Sequence, residues 1–206
     1  MTVAQPPSDA SWPLLLPPDL RLSPDQFARV CAANPEAVLE LTADGHLITM
    51  TPTGSETGSR NSELIFQLKA FARQSQSWKV FDSSTGFRLP DGAVFSPDAA
   101  LIALERWNRL TSEERRTFAP LCPDLVVELA SSSDNGPRSL AALRHKMGRY
   151  QANGARLGWL LLPEERAVEI WMAGSDAPQR LQNPPRLEGG ATCPGLQLDL
   201  AEIWAG

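Results

Sequence analysis

The chain has 206 residues, enough for one domain with a sizeable core. Its 19 Lys and Arg stand against 24 Asp and Glu, a net charge of −5, which argues against a general nucleic-acid binder and leaves room for a local basic cleft. Three scattered cysteines (Cys31, Cys122, Cys193), with no CxxC pair, offer neither a disulfide framework nor a zinc site and fit a reducing compartment.

The chain opens on a Pro-rich stretch in which Pro6, Pro7, Pro13, Pro17 and Pro18 interrupt Trp12 and Leu14 to Leu16. It lacks a basic region and a sustained apolar run, so it makes a poor signal peptide. We expect an irregular arm over residues 1–20 and a single domain over 21–206. No later segment is long enough to span a bilayer, and the expected compartment is the cytoplasm.

Ser23-Pro24-Asp25-Gln26 reads as a helix start, with Ser at the N-cap, Pro in the first turn and Gln closing a capping box; the helix ends near Asn34-Pro35. Val38 to Leu41 and Leu47 to Met50 flank Asp44-Gly45, a hairpin signal. After the Pro52-Thr53-Gly54 turn, Leu64, Ile65, Leu68, Phe71 and Ala72 recur at helical spacing and predict a helix to about Gln74. Asn61 falls on its apolar face. Trp78 to Phe81 and Thr85 to Leu89 read as short strands, and Val94 to Leu104 as a strand interrupted by Pro97. Thr111 and Glu114 form a second capping box before a short charged helix.

Asp124 to Ala130 is an apolar run too short for a helix, hence a buried strand, with one acid, Glu128, inside it. Alternation sets Val126 with Glu128 on one face and Leu125, Val127 and Leu129 on the other. A loop over Ser131 to Gly136 leads to a helix over Leu140 to Tyr150, whose buried stripe is Leu140, Leu143, Met147 and Tyr150. Lys146 lies roughly 70° off that stripe and borders the core, whereas Arg149 falls farther round, on the solvated side. Leu157 to Leu162 and Ala167 to Met172 bracket Pro163 to Arg166 as another hairpin, and a helical turn near Asp199 to Trp204 closes a Pro/Gly-broken tail. Helices and mixed strands in this order suggest an α/β layer fold.

An ionised carboxylate on a core strand needs a cation or hydrogen-bonding partner. Asp98, after Pro97, and Lys146 are the candidates for Glu128. Two acids that hold a divalent ion, with an ammonium to orient water and stabilise charge, make a phosphodiester-cleaving site; the Leu129 carbonyl is a further candidate ligand. Each residue also has a plainer reading: Lys146 as a snorkelling lysine, Asp98 as a turn residue, Glu128 as half of a structural salt bridge. Two carboxyls about 5 to 9.5 Å apart would also suit a glycosidase. Asp134-Asn135-Gly136 lacks the rest of a calcium loop, and Gly54 to Gly58 has no Gly-Lys-Ser/Thr of a P-loop. His46 and His145 are too few for a histidine-rich metal site.

Met50 to Gly58, Val80 to Gly92, Ser96-Pro97-Asp98-Ala99, Cys122 to Leu129 and Lys146-Met147 to Gly154, in this order, closely resemble the Uma-type family of restriction-endonuclease-like nucleases of the PD-(D/E)xK superfamily. The likeness runs over roughly Leu22 to Trp204. It implies a central mixed β-sheet flanked by helices and a Mg²⁺- or Mn²⁺-dependent DNA endonuclease working as a homodimer. Under it Asp98, Glu128, Lys146 and Glu56 are catalytic, with Asp98, Glu128 and the Leu129 carbonyl on the metal. Two features depart from the pattern. Ala130 stands two residues after Glu128, so the lysine comes from the following helix, and an Arg and a Pro common in similar members are replaced by Ala130 and Ser132. The alternative is a nuclease-fold protein without turnover that binds nucleic acid or a protein.

Overall fold

The computed structural model describes residues 17, 19–131 and 136–205. Most of the expected arm and most of the loop after the Glu128 strand, including Asp134 and Asn135, lie outside the described residues.

Helix α1 (Pro24–Ala33) starts where the sequence predicts. Gln26 donates its backbone N–H to Ser23 Oγ and accepts that of Ser23 on its own side chain, closing the box. Strands β1 (Val38–Leu41) and β2 (Leu47–Met50) form the expected antiparallel hairpin. Gly45 turns it with φ +84°, and a Cβ there would lie 2.8 Å from the Leu22 carbonyl, so both conformation and space demand glycine. Next come the 21-residue helix α2 (Ser55–Ser75), β3 (Trp78–Asp82), β4 (Phe87–Arg88), β5 (Val94–Phe95) and β6 (Ala99–Ala103). The single strand expected over Val94 to Leu104 is two, and they enter different sheets. Pro97 sits between them; without an N–H it cannot continue a ladder, and the chain changes partner there.

A short helix α3 (Leu104–Asn108), not foreseen, succeeds β6. Thr111 and Glu114 make their capping contacts, but the segment they cap is only a 3-10 turn at Glu114–Arg116. Then come β7 (Leu125–Leu129), α4 (Pro137–Ala152), β8 (Leu157–Leu162), a 3-10 turn at Pro163–Glu165 and β9 (Ala167–Met172). The tail holds three strands missed in the sequence, β10 (Gln179–Gln182), β11 (Arg186–Glu188) and β12 (Gln197–Asp199), before the closing helix α5 (Ala201–Ala205).

Six strands form the main sheet in the order β10-β9-β8-β7-β6-β3. Only β7 and β8 run parallel, with α4 as the crossover between them; the other pairs are antiparallel. A second sheet, β2-β1-β5-β4, carries the hairpin. The alternation predicted for β7 holds. Leu125, Val127 and Leu129 pack under α2 and α5 with Leu64, Leu68, Ile203 and Trp204, whereas Val126 faces α4 with Met147 and Tyr150. The architecture is the expected mixed sheet with helices on both faces. Among the described residues no helix is long and apolar enough to cross a membrane.

Helix α4 is also clamped to the sheet by an ion pair to β9. Glu169 on β9, only 3% exposed, accepts the Arg144 Nε–H between its two oxygens, at 2.9 and 3.1 Å, accepts Arg144 Nη2 as well, and pairs with Arg180 at 3.4 Å. Arg144→Ala leaves that carboxylate with its weaker partner, and we expect a stability loss of about 1–2 kcal/mol in urea denaturation at pH 7. An unchanged midpoint would show that Arg180 alone suffices.

Candidate active site

The main sheet ends, at the C-termini of β7 and β8, in a cluster of buried charges. Extending the β6–β7 register one step beyond the Ala99–Val127 pair sets Asp98 opposite Glu128. The Leu129 N–H, which has no β6 partner at that point, donates to Asp98 Oδ2 at 2.8 Å. In a strand the N–H and C=O of one residue point to the same side, so the Leu129 carbonyl also faces the Asp98 edge. Asp98 Oδ1 accepts Asn61 Nδ2 of α2 at 3.3 Å. Asn61, placed on the apolar face of its helix by its spacing, is thus the contact from α2 to this corner.

Glu128 points to the α4 face of the sheet. Its Oε1 meets Lys146 Nζ at 2.9 Å and accepts the Tyr150 hydroxyl at 3.1 Å. Lys146 and Tyr150 stand one helical turn apart, which brings both to the same carboxylate. Lys146 also pairs with Glu40 at 2.8 Å and donates to the Ser96 carbonyl at 3.2 Å, so all three ammonium hydrogens have acceptors. Of the four catalytic candidates, the structure brings Asp98, Glu128 and Lys146 to one corner. Glu56 has a different neighbourhood: its side chain is 58% exposed and accepts Arg60 Nη2 at 2.7 Å. Arg60 in turn lies 4.0 Å from Glu164, just past β8, so this pair sits on the α2 side of the same sheet end.

Glu40 is the residue that sequence reasoning misses. It lies on β1 and is 3% exposed, with Leu39 and Leu41 turned toward α1 and Glu40 turned toward α4. An acid alternating with leucines in a hairpin strand reads as the solvent face, and only packing of the second sheet over α4 reverses that. Arg149 is a correction. Expected on the solvated side, it is half-buried, ion-paired to Asp91 of the β4–β5 turn, and lines a groove of about 690 Å³ together with Glu40, Ile48, Met50, Glu128 and Lys146. The β4–β5 turn, invisible to helix periodicity, supplies its partner.

The electrostatics follow from burial. Desolvation pushes the Glu128 carboxyl up to about 8, with Asp98 and Glu40 adding to the rise and Lys146 opposing it. Burial likewise raises Asp98, against the Leu129 N–H and the Lys146 charge. For Lys146 burial acts downward, but Glu128 and Glu40 together lift it above the ordinary lysine value, so the ammonium stays charged. Tyr150 is raised well above a free phenol by burial and by the same two acids, and it donates as a neutral hydroxyl.

Two carboxyl groups on a single ammonium, with Asp98 near enough to feel its charge, form an acid-rich corner suited to a hard cation. Asn61 Oδ1 is buried there with no hydrogen-bond partner, an orphan acceptor beside Asp98. Among the described residues no three His, Cys, Asp or Glu side chains form a ready-made ligand set. A Mg²⁺-like ion, which keeps several waters and takes one or two carboxylates, does not require one. Asp98, Glu128 and the Leu129 carbonyl are oxygen donors of the kind such an ion takes.

A family model described as "Uma2: Putative restriction endonuclease" matches residues 24–201. Four chains of solved structure match. One is the crystal structure of "a putative nuclease belonging to DUF820" from Anabaena variabilis, with TM-score 0.69 and 18% identity, covering 89% of this chain and 98% of that one. No curated protein matches the chain.

Proposed function

We propose, from the premise that this chain belongs to the Uma2 family of "putative restriction endonucleases", that it is a divalent-cation-dependent DNA endonuclease with its site at the C-terminal end of β7. The chain has the restriction-endonuclease-like fold. The observation that carries the reading is the Glu128–Lys146 pair at 2.9 Å with Asp98 opposite it on the Leu129 N–H.

In this reading Asp98, Glu128 and the Leu129 carbonyl hold a Mg²⁺ or Mn²⁺ ion. When bound, such an ion withdraws charge from the phosphate oxygens and lowers the pKa of water. Asp98 is pre-oriented by Leu129 and Asn61, so it presents its free lone pairs without rearrangement. Lys146, charged and held at the strand end, orients the attacking water and stabilises the negative charge that develops on phosphate. Glu56 serves as an accessory acid on the α2 side, where it holds Arg60. A homodimer would supply one site per strand of a duplex. A glycosidase reading lacks support, because the family model that matches the chain describes putative restriction endonucleases.

Incubation of supercoiled plasmid and single-stranded circular DNA with the protein and Mg²⁺ or Mn²⁺ tests this. We expect metal-dependent cleavage by the wild type and a loss of about 10²- to 10³-fold or more in Asp98→Ala. Equal cleavage by both, or none with any divalent ion, would refute it. DNA binding without cleavage, weakening as salt rises, would instead support a nuclease-fold binding protein. All three donors of Lys146 being engaged is the observation that favours this second reading.

A further inference from the structure

We infer that Glu40 is the positioning residue of Lys146, keeping the ammonium at the end of β7 once Glu128 is engaged by a cation; the inference rests on the cation-holding reading of Asp98 and Glu128. Glu40 Oε1 accepts the Ser96 N–H at 2.8 Å and meets Lys146 Nζ at 2.8 Å, and the same Nζ donates to the Ser96 carbonyl at 3.2 Å. Glu40 and Ser96 therefore close a ring around the ammonium that does not involve Glu128. Ser96 lies two residues before Asp98, so the same ring ties the hairpin to the segment that presents Asp98.

A cation on Glu128 and Asp98 changes the balance at Lys146. The Glu128 charge would turn toward such an ion, whose own positive charge would oppose the ammonium. The side chain of Lys146 is flexible, and the groove beside it, walled by Ile48 and Met50, gives it somewhere to swing. The counter-charge that remains is Glu40, buried, already bonded to backbone and carried by a different sheet from Glu128. It holds the ammonium against that repulsion. Without Glu40 the ammonium keeps only a neutral carbonyl.

The test uses the full chain, Mn²⁺ as the cation, and two readouts that need no turnover: Mn²⁺ affinity by electron paramagnetic resonance, and modification of Lys146 by an amine-reactive ester, followed by mass spectrometry. Glu40→Gln is expected to weaken Mn²⁺ by less than about tenfold, against about a hundredfold or more for Asp98→Asn. Lys146 in Glu40→Gln should stay protected without metal and react about tenfold or more faster with saturating Mn²⁺, while the wild type stays protected in both states. Glu40→Asp, which keeps the charge on a shorter stem, should restore most of the protection and remains a usable probe should the glutamine variant fail to fold. Cleavage, where measured, should lose kcat with KM retained.

A loss of Mn²⁺ affinity in Glu40→Gln as large as that of Asp98→Asn would overturn the inference by making Glu40 a ligand. Equal Lys146 labelling in wild type and Glu40→Gln under Mn²⁺ would overturn it by leaving Glu40 a purely structural link. Failure of the cation reading itself is recognisable separately, as wild-type protein that binds no Mn²⁺ in a manner sensitive to Asp98→Asn.

Discussion

Lys146→Met is expected to lower the unfolding free energy by about 3–5 kcal/mol at pH 8, the largest stability effect of any single side chain at the site. Methionine replaces the lysine stem at similar volume beside the Phe95 and Tyr150 rings, so the loss is one of charge. Glu40 and Glu128, 3% and 4% exposed, are left facing each other with no cation. Glu128, already raised by burial, lessens the penalty by taking up a proton. The loss should therefore shrink at pH 5, below the raised Glu128 value, where a proton neutralises that carboxyl, and urea denaturation at the two pH values reads the difference. An equal loss at both would mean that packing, and not the charge cluster, is what Lys146 supplies.

The second large effect is a pH-dependent cation affinity. In the cation-holding reading, with Glu128 pushed up to about 8, a cation arriving below that pH would displace a proton from it. Mn²⁺ affinity should rise about tenfold per pH unit toward pH 8 and level off above it, a change of about a hundredfold between pH 6 and 8. Glu128→Gln should bind weakly and without that slope. Linkage adds a matching stability profile for the cation-free protein. Between the ordinary glutamate value of 4.5 and about 8, the folded state binds more protons at Glu128 than the unfolded state does. Stability from this group therefore falls as pH rises through that window, and Glu128→Gln should remove the decline. A Mn²⁺ affinity that is flat between pH 6 and 8 would contradict the assignment of the raised carboxyl.

Several parts of this arrangement were legible along the chain because they are written in short-range patterns. The Ser23–Gln26 box, the Asp44-Gly45 hairpin and the two faces of β7 each depend on residues within a few positions of one another. The tail strands β10 to β12 were not legible: Pro184, Pro185, Gly189 and Gly190 punctuate them, and their pairing draws on partners that local alternation does not reveal. Pro97 announced an interruption but not its outcome. Whether a strand bulges or splits between two sheets depends on which neighbours are available on each side.

By itself the sequence determined the local elements and the chemistry available to them: an acid on a buried strand, an acid after a proline, a lysine bordering a helix stripe. These arise from backbone periodicity, which acts at fixed residue spacing. Only the tertiary structure decided how many acids the lysine would meet. Glu40 joins Glu128 because the hairpin sheet lies over α4, and Arg149 is drawn toward Asp91 by the β4–β5 turn. Glu56 pairs with Arg60 on the α2 side of the same sheet end. Side-chain spacing says which way a residue points along its own element. What stands opposite it is set by the packing of elements far apart in the chain, and in a buried cluster that determines which charges are compensated.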